Sequence, residues 1–277
     1  MNEKPLRQDA PPEDCRRMSL DDTFTFRCGP DLPCFTRCCS DVSIVLTPYD
    51  VLRLKNALSI DSTDFITRHT LTSLAGEAKI PVLLLKMGGE TTSCPFVGER
   101  GCSVYANRPW ACRMYPLGAA EPQNPNPEAR PFYFPVHEDL CKGHGEGRTL
   151  TVREWIQDQG LEEYEMMGEG FKRLMLHPAW SKGEPLSREK AEMFFMACYD
   201  LDRFRRFVFD SRFLEVFIVD EARVEAIRTD DEELLDFAMQ WLQYALFGEK
   251  SMKIRQAVLD ERRGAEGAAA GPHPARP

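Results

Sequence analysis

Apolar residues in the C-terminal half of the chain recur at helical intervals. Ala191, Phe194, Cys198, Leu201, Phe204 and Val208 stand three or four apart, and Leu234, Leu235, Ala238, Trp241, Leu242 and Ala245 follow a similar pattern. That spacing lines one face of a helix, so both runs predict amphipathic helices sharing a core. Thr151-Val152-Arg153-Glu154 and Thr229-Asp230-Asp231-Glu232 each read as a capping box at a helix start.

The texture differs before residue 148. Thr47-Pro48-Tyr49-Asp50 predicts a helix reaching Ala57 or Leu58. The threonine caps, the proline suits the first helical position, and the aspartate faces exposed amides. A second short helix is expected after Ser62, through Phe65 and Ile66. Residues 80–86 read as a buried strand bounded by Gly88-Gly89. Asn107-Arg108-Pro109 opens a short helical turn carrying Cys112, and residues 121–131, with four prolines, predict an irregular loop. Phe132-Tyr133-Phe134 reads as a last strand. The fold class expected is α+β. An irregular, loop-rich cysteine domain with short helices and a few strands spans residues 21–148, and an α-helical region follows over 149–263. Residues 1–20 read as a mobile tail and 264–277, rich in Ala, Gly and Pro, as a disordered one.

Composition narrows the partners. The chain has 277 residues, 43% of them apolar, enough for a real core. A net charge of −9 argues against a nucleic-acid or anionic-membrane surface. No apolar leader or membrane-length run is visible, so the expected address is cytoplasmic.

The cysteines carry the chemistry. Eight of the ten fall between Cys28 and Cys141, in two bursts: Cys28, Cys34 and Cys38-Cys39, then Cys94, Cys102 and Cys112, with Cys141 beyond. Reducing cytosol and a chain of this size disfavour a disulfide framework, which leaves metal binding. Thiolates are soft anionic ligands suited to tetrahedral zinc and to iron–sulfur clusters. Side chains of adjacent residues point apart, so Cys38 and Cys39 can serve different sites. Eight cysteines can make two four-cysteine sites, or one site with spare thiols. The absence of Cys-x2-Cys grips tells against an ordinary zinc finger and mildly favours iron.

Two stretches resemble one family. The first is Phe26-x-Cys28, Cys34-x3-Cys38-Cys39 and the following Leu46-Thr47-Pro48-Tyr49-Asp50-Val51-Leu52-Arg53-Leu54. The second is Cys94-Pro95-Phe96, then Cys102-x2-Tyr105-x2-Arg108-Pro109-x2-Cys112-Arg113-x-Tyr115-Pro116. Together they resemble the YkgJ-type cysteine-cluster family, described as zinc- or iron-chelating and similar to the metal-binding part of flagellin lysine N-methylases. The family's first motif is Cys-x2-Cys-x2-Cys-Cys, whereas this chain has five and three residues in those gaps. The resemblance implies metal ligands at Cys28, Cys34, Cys38, Cys39, Cys94, Cys102 and Cys112, with Cys141 as an eighth. Arg108 and Arg113 flank Cys112, where guanidinium groups would offset the charge of a thiolate-bound cofactor. The plainer alternative has Arg108 capping loop carbonyls and Arg113 facing solvent.

Other features read more plainly. His137, Cys141 and His144 could form a mixed site, but a surface loop with two exposed imidazoles is the simpler reading. Cys198 lies on an apolar stripe and reads as a small core residue; Cys15 reads as a bystander. Gly143-His144-Gly145-Glu146-Gly147 lacks the strand-to-helix setting of a nucleotide loop. The aromatic run from Phe204 to Phe217, interleaved with arginines, reads as the edge of a helical core. The expectation is therefore a cytosolic metal-binding protein holding an iron–sulfur cluster, of the 4Fe-4S kind first, or zinc. A protein-modifying or redox enzyme and a structural zinc scaffold for an unknown protein partner are the alternatives. Methyl transfer would need S-adenosylmethionine, for which no glycine-rich sequence is evident.

Overall fold

The computed structural model describes residues 16–88, 92–120 and 131–260. In chain order they form β1 (Thr23–Phe26), β2 (Val45–Leu46), α1 (Pro48–Leu58), α2 (Ser62–His69), β3 (Thr70–Ala75) and β4 (Ile80–Leu85). Next come β5 (Val97–Gly98), β6 (Gly101–Cys102), α3 (Trp110–Met114), β7 (Leu117–Ala120), β8 (Phe132–Pro135) and β9 (Arg148–Thr151). The helical part holds α4 (Val152–Asp158), α5 (Leu161–Met175), α6 (Arg188–Tyr199), α7 (Leu201–Asp210) and α8 (Phe213–Val216). It closes with β10 (Phe217–Ile218), α9 (Glu221–Thr229), α10 (Asp231–Phe247) and β11 (Lys253–Ile254). This is a mixed α+β fold, with strands in small antiparallel sheets.

Local signals set several boundaries. Thr47 caps α1 by accepting from the Asp50 amide, while the Asp50 carboxylate accepts from the Thr47 amide at 2.8 Å. Thr151 and Glu154 close the same reciprocal box at α4. At α10 the cap is Asp230 rather than Thr229: its carboxylate accepts from the Glu232 and Glu233 amides. The apolar run from Ala191 to Val208 is not one helix either. It breaks at Asp200, whose buried carboxylate accepts from the Ser62 hydroxyl at 2.6 Å and from Thr63. A long-range bond thus overrides the local periodicity. Phe132–Pro135 is followed by further strands, so it is not the last.

One apolar core crosses residue 148. Leu46, Leu54, Phe65 and Leu83 pack with Tyr164, Phe194, Phe204, Leu234 and Leu242 in a single cluster. A smaller cluster joins Met18, Phe26, Met114 and Leu117 to Leu150, Trp155 and Leu161. It also takes in Met18, from the end of the tail expected over residues 1–20, of which 1–15 lie outside the described residues. Met18 is buried and its amide donates to the Tyr133 carbonyl at 2.7 Å. Cys15, the 121–130 part of the proline-rich loop and the 264–277 tail lie outside the described residues.

Candidate metal centre

The first cysteine burst is coiled, not extended. Successive turn bonds, Leu32 to Gly29, Phe35 to Leu32, Arg37 to Cys34 and Cys39 to Thr36, wind the segment tightly. Arg37–Cys39 is a 3-10 turn in which neighbouring side chains diverge by about 120°. Thr36 and Asp41, at φ 65° and 54°, hold left-handed backbone on either side of it. The turn leaves the Cys38 and Cys39 thiols in contact with one another, each with different further neighbours.

Cys38 faces one group. Desolvation by surrounding protein raises the Cys28 thiol pKa although its surface reaches solvent, and the thiols of Cys38, Cys34 and Cys141 raise it further, so each of these three lies within electrostatic reach of Cys28. Cys141 reaches this place because the loop behind it lies against the end of β1. The Arg27 amide donates to the Gly143 carbonyl at 3.1 Å. A Cβ at Gly143 would stand 2.1 Å from the Arg27 carbonyl oxygen, so only glycine fits. The glycine run thus serves backbone packing. The Lys142 amide donates to the Cys34 sulfur at 3.2 Å.

Cys39 faces the other group. Its amide bonds to Thr36, and its carbonyl accepts from the Cys94 amide at 2.8 Å, which brings the second burst alongside. Cys102 lies on β6, paired with Val97 in a tight hairpin. Cys112 rides on α3, whose first amide, that of Trp110, donates to Asp50 at 2.8 Å. Desolvation by surrounding protein, then the neighbouring Cys94, Asp50 and Cys102, push the Cys112 thiol up, although its surface reaches solvent. The Cys39 thiol donates to Cys38, which lowers Cys38 to about 7 and raises Cys39. The Cys94 sulfur accepts from the Phe96 and Val97 amides, which oppose the effect of its burial.

The structure thus brings together Cys28, Cys34, Cys38 and Cys141 in one quartet, and Cys39, Cys94, Cys102 and Cys112 in another. All eight are free thiols. As they stand, no three His, Cys, Asp or Glu side chains among the described residues converge on a common metal position. The donor set still fits a thiophilic cation. Amides already point at Cys34 and Cys94, as they do around ligating sulfur.

The two arginines differ. Arg108 is buried, lies over the Tyr105 ring at 3.9 Å, donates to the Tyr105 carbonyl and Gln159, and feels Cys112 and Cys102. It also lowers Cys28, so it adjoins both quartets. Arg113 does not face solvent: it is 8% exposed, and its guanidinium donates to the Arg108, Gln159 and Ala106 carbonyls. It braces α3 against the turn into α5 and lies 4.6 Å over the Tyr164 ring.

The 136–147 loop is not a pair of exposed imidazoles. His137 is exposed, but His144 is half-buried with its ring 4.5 Å from that of His137 and 5.5 Å from that of Phe26. Cys198 is fully buried in the helical core. Three residues near the thiols escaped sequence reasoning: Asp50 as the anchor of α3, and Glu138 and Tyr115 beside Cys38. Asp50 was visible as a cap and Tyr115 stands in the second motif; nothing in the local sequence marks Glu138.

Residues 27–132 match the family model CxxCxxCC, described as "Putative zinc- or iron-chelating domain". No curated protein and no solved structure matches the chain.

Proposed function

We propose that this chain is a cytosolic metal-binding protein in which each cysteine quartet supplies the thiolates of one centre. The different further neighbours of the touching Cys38 and Cys39 thiols carry this reading: Cys38 interacts with Cys28, and Cys39 with Cys94 and Cys112. Tetrathiolate sets suit iron–sulfur clusters, which are the first assignment, with Arg108 offsetting the charge of both. Zinc is the second reading. The Cys38 and Cys39 thiols touch, and two compact ions fit such neighbouring sulfurs with less crowding than two cubane clusters. Several amides already aimed at sulfur favour thiolate ligation over spare thiols.

Anaerobic purification, a visible spectrum, and iron, zinc and acid-labile sulfide per chain test the proposal. Broad brown absorption with iron and sulfide supports clusters; two colourless zinc ions per chain support the second reading. A folded chain with neither metal overturns both.

A further inference from the structure

Away from the thiols, the sheet of β2, β4 and β3 ends in an open strand. β3 and β4 are the longest strands among the described residues; β4 is paired on both sides and β3 on one. Leu74 stands opposite Pro81, which has no N–H, so these two form a pair without ladder bonds. The Lys86 amide donates to the His69 carbonyl, and the Leu85 amide turns away from β3 to the Ile44 carbonyl. Both contacts fix the same alternation. Odd residues of β3 bond to β4, while Thr70, Thr72 and Leu74 turn their backbone groups outward. The Thr70 amide is taken by the Ile66 carbonyl at the end of α2. The Thr72 and Leu74 amides and carbonyls have no backbone partner among the described residues.

This edge lacks the protection that open edges carry, which is lysine, proline or a bulge. β3 reads Thr70-Leu71-Thr72-Ser73-Leu74-Ala75, without charge or proline, in a chain of net charge −9. Its register with β4 runs unbroken from Thr70 to Ala75, so no bulge turns it aside. Leu71 and Leu74 each expose about half their surface, and so nearly does Val45, which lies across Leu84 from Leu71. The other exposed large hydrophobics, Tyr105, Met166, Leu176 and Ile218, stand on other elements. The two ends of the strand carry opposite charge. Exposed Arg68 closes α2 just before it, and exposed Glu77 follows it in the turn to β4.

We propose that β3 is the docking edge for a second copy of this chain, the two β3 strands pairing antiparallel about a two-fold axis through Ser73. The strand is complementary to itself in that register. Thr72 falls opposite Leu74 of the second copy, and each such pair exchanges two bonds, so all four open amides meet carbonyls. Leu71 falls opposite Ala75 of the second copy. The uncharged middle sets no like charges against each other, and the Glu77 end of each strand comes beside the Arg68 end of the other. An isologous contact needs one patch to serve as both sides, and amide register, apolar side chains and end charges all meet that demand. The contact is smaller than the roughly 800 Å² per partner of a standard stable interface, so the pair is reversible, with micromolar affinity. It forms with or without metal in the thiol quartets.

Sedimentation of the full chain from micromolar to millimolar concentration tests the proposal, with a rise from the mass of one chain toward two expected. Leu74→Pro removes an outward amide, and Thr72→Lys puts charge on the edge. Each weakens association about tenfold or more, with circular dichroism unchanged. Ser73→Cys sets a thiol on the axis within disulfide reach of its copy. Mild oxidation then links two chains through position 73, as read by peptide mass mapping, whereas Thr72→Cys faces Leu74 and does not link to itself. A monomer at every concentration would overturn the proposal, as would a dimer that both edge variants leave intact. Equal self-linking by the two cysteine variants would also sink it. A monomer whose Thr72 and Leu74 amides resist hydrogen exchange would show that another segment of the same chain fills the edge instead.

Discussion

Phe204, Leu234, Phe237, Trp241 and Leu242 in the helical part bury nearly all their surface against one another. The segment from Cys28 to Cys39 buries one residue, Cys34. A buried Phe or Leu contributes about 1.5–3 kcal/mol by leaving water, and the helical part collects this many times over. The cysteine segment does not. It holds left-handed backbone at Thr36 and Asp41 and relies on turn bonds and on thiols gathered from three distant stretches. Apolar burial organises the one region, and the geometry of prospective ligands organises the other.

The sharpest way to break this contrast is to remove a ligand. Cys94→Ser or Cys112→Ser is expected to abolish metal at the second centre and to loosen the Cys28–Cys39 segment. Structural zinc supplies on the order of 10 kcal/mol in small domains, as much as many domains possess. Metal analysis with hydrogen exchange reads it: protection falls in residues 27–112 and persists in α10. Full metal content in both variants would place the ligands elsewhere.

Phe237→Ala probes the other region. Its ring packs near Phe204 and Phe213, with centroids 6.5 and 5.8 Å away. Truncation leaves a cavity and costs about 3–5 kcal/mol in denaturant unfolding, with metal per chain unchanged. Loss of metal in step with stability would mean that the regions do not differ as described.

The smallest effect concerns Asp50, which joins them. Burial raises its carboxyl pKa to about 6, although the Thr47 and Trp110 amides pull the other way. The unfolded chain, at about 3.9, ionises first as pH rises. Asp50 therefore favours the folded state fully below pH 4, and that advantage fades as pH climbs toward 6. The total change is about 3 kcal/mol. Asp50→Asn flattens this slope, and because Asn offers one acceptor oxygen for the Thr47 and Trp110 amides it costs about 1–3 kcal/mol at pH 7. Urea midpoints across pH 4–7 measure both; an unchanged slope would show that Asp50 titrates normally.

Much of this architecture was legible along the chain where a few neighbouring residues decide it. Helix α1 over Pro48–Leu58 follows from Thr47, Pro48 and Asp50, and α4 from Thr151 and Glu154, because a capping box closes within three residues. The chemical class followed as directly: clustered thiols in a chain large enough to fold without staples point to a soft metal. Clustering along the chain and the family resemblance marked Cys28, Cys34, Cys38, Cys39, Cys94, Cys102, Cys112 and Cys141 as candidates.

Tertiary structure decided what distant segments share. The break at Asp200 depends on Ser62, the cap at α10 on which carboxylate reaches the free amides, and the burial of Arg113 on carbonyls in the turn before α5. The sorting of the thiols depends on the Cys94 amide meeting the Cys39 carbonyl, and on Gly143 letting Cys141 approach the end of β1. Helix caps and thiol chemistry are local properties of a few side chains. Which thiols become neighbours is set only when chain closure brings residues a hundred positions apart within reach.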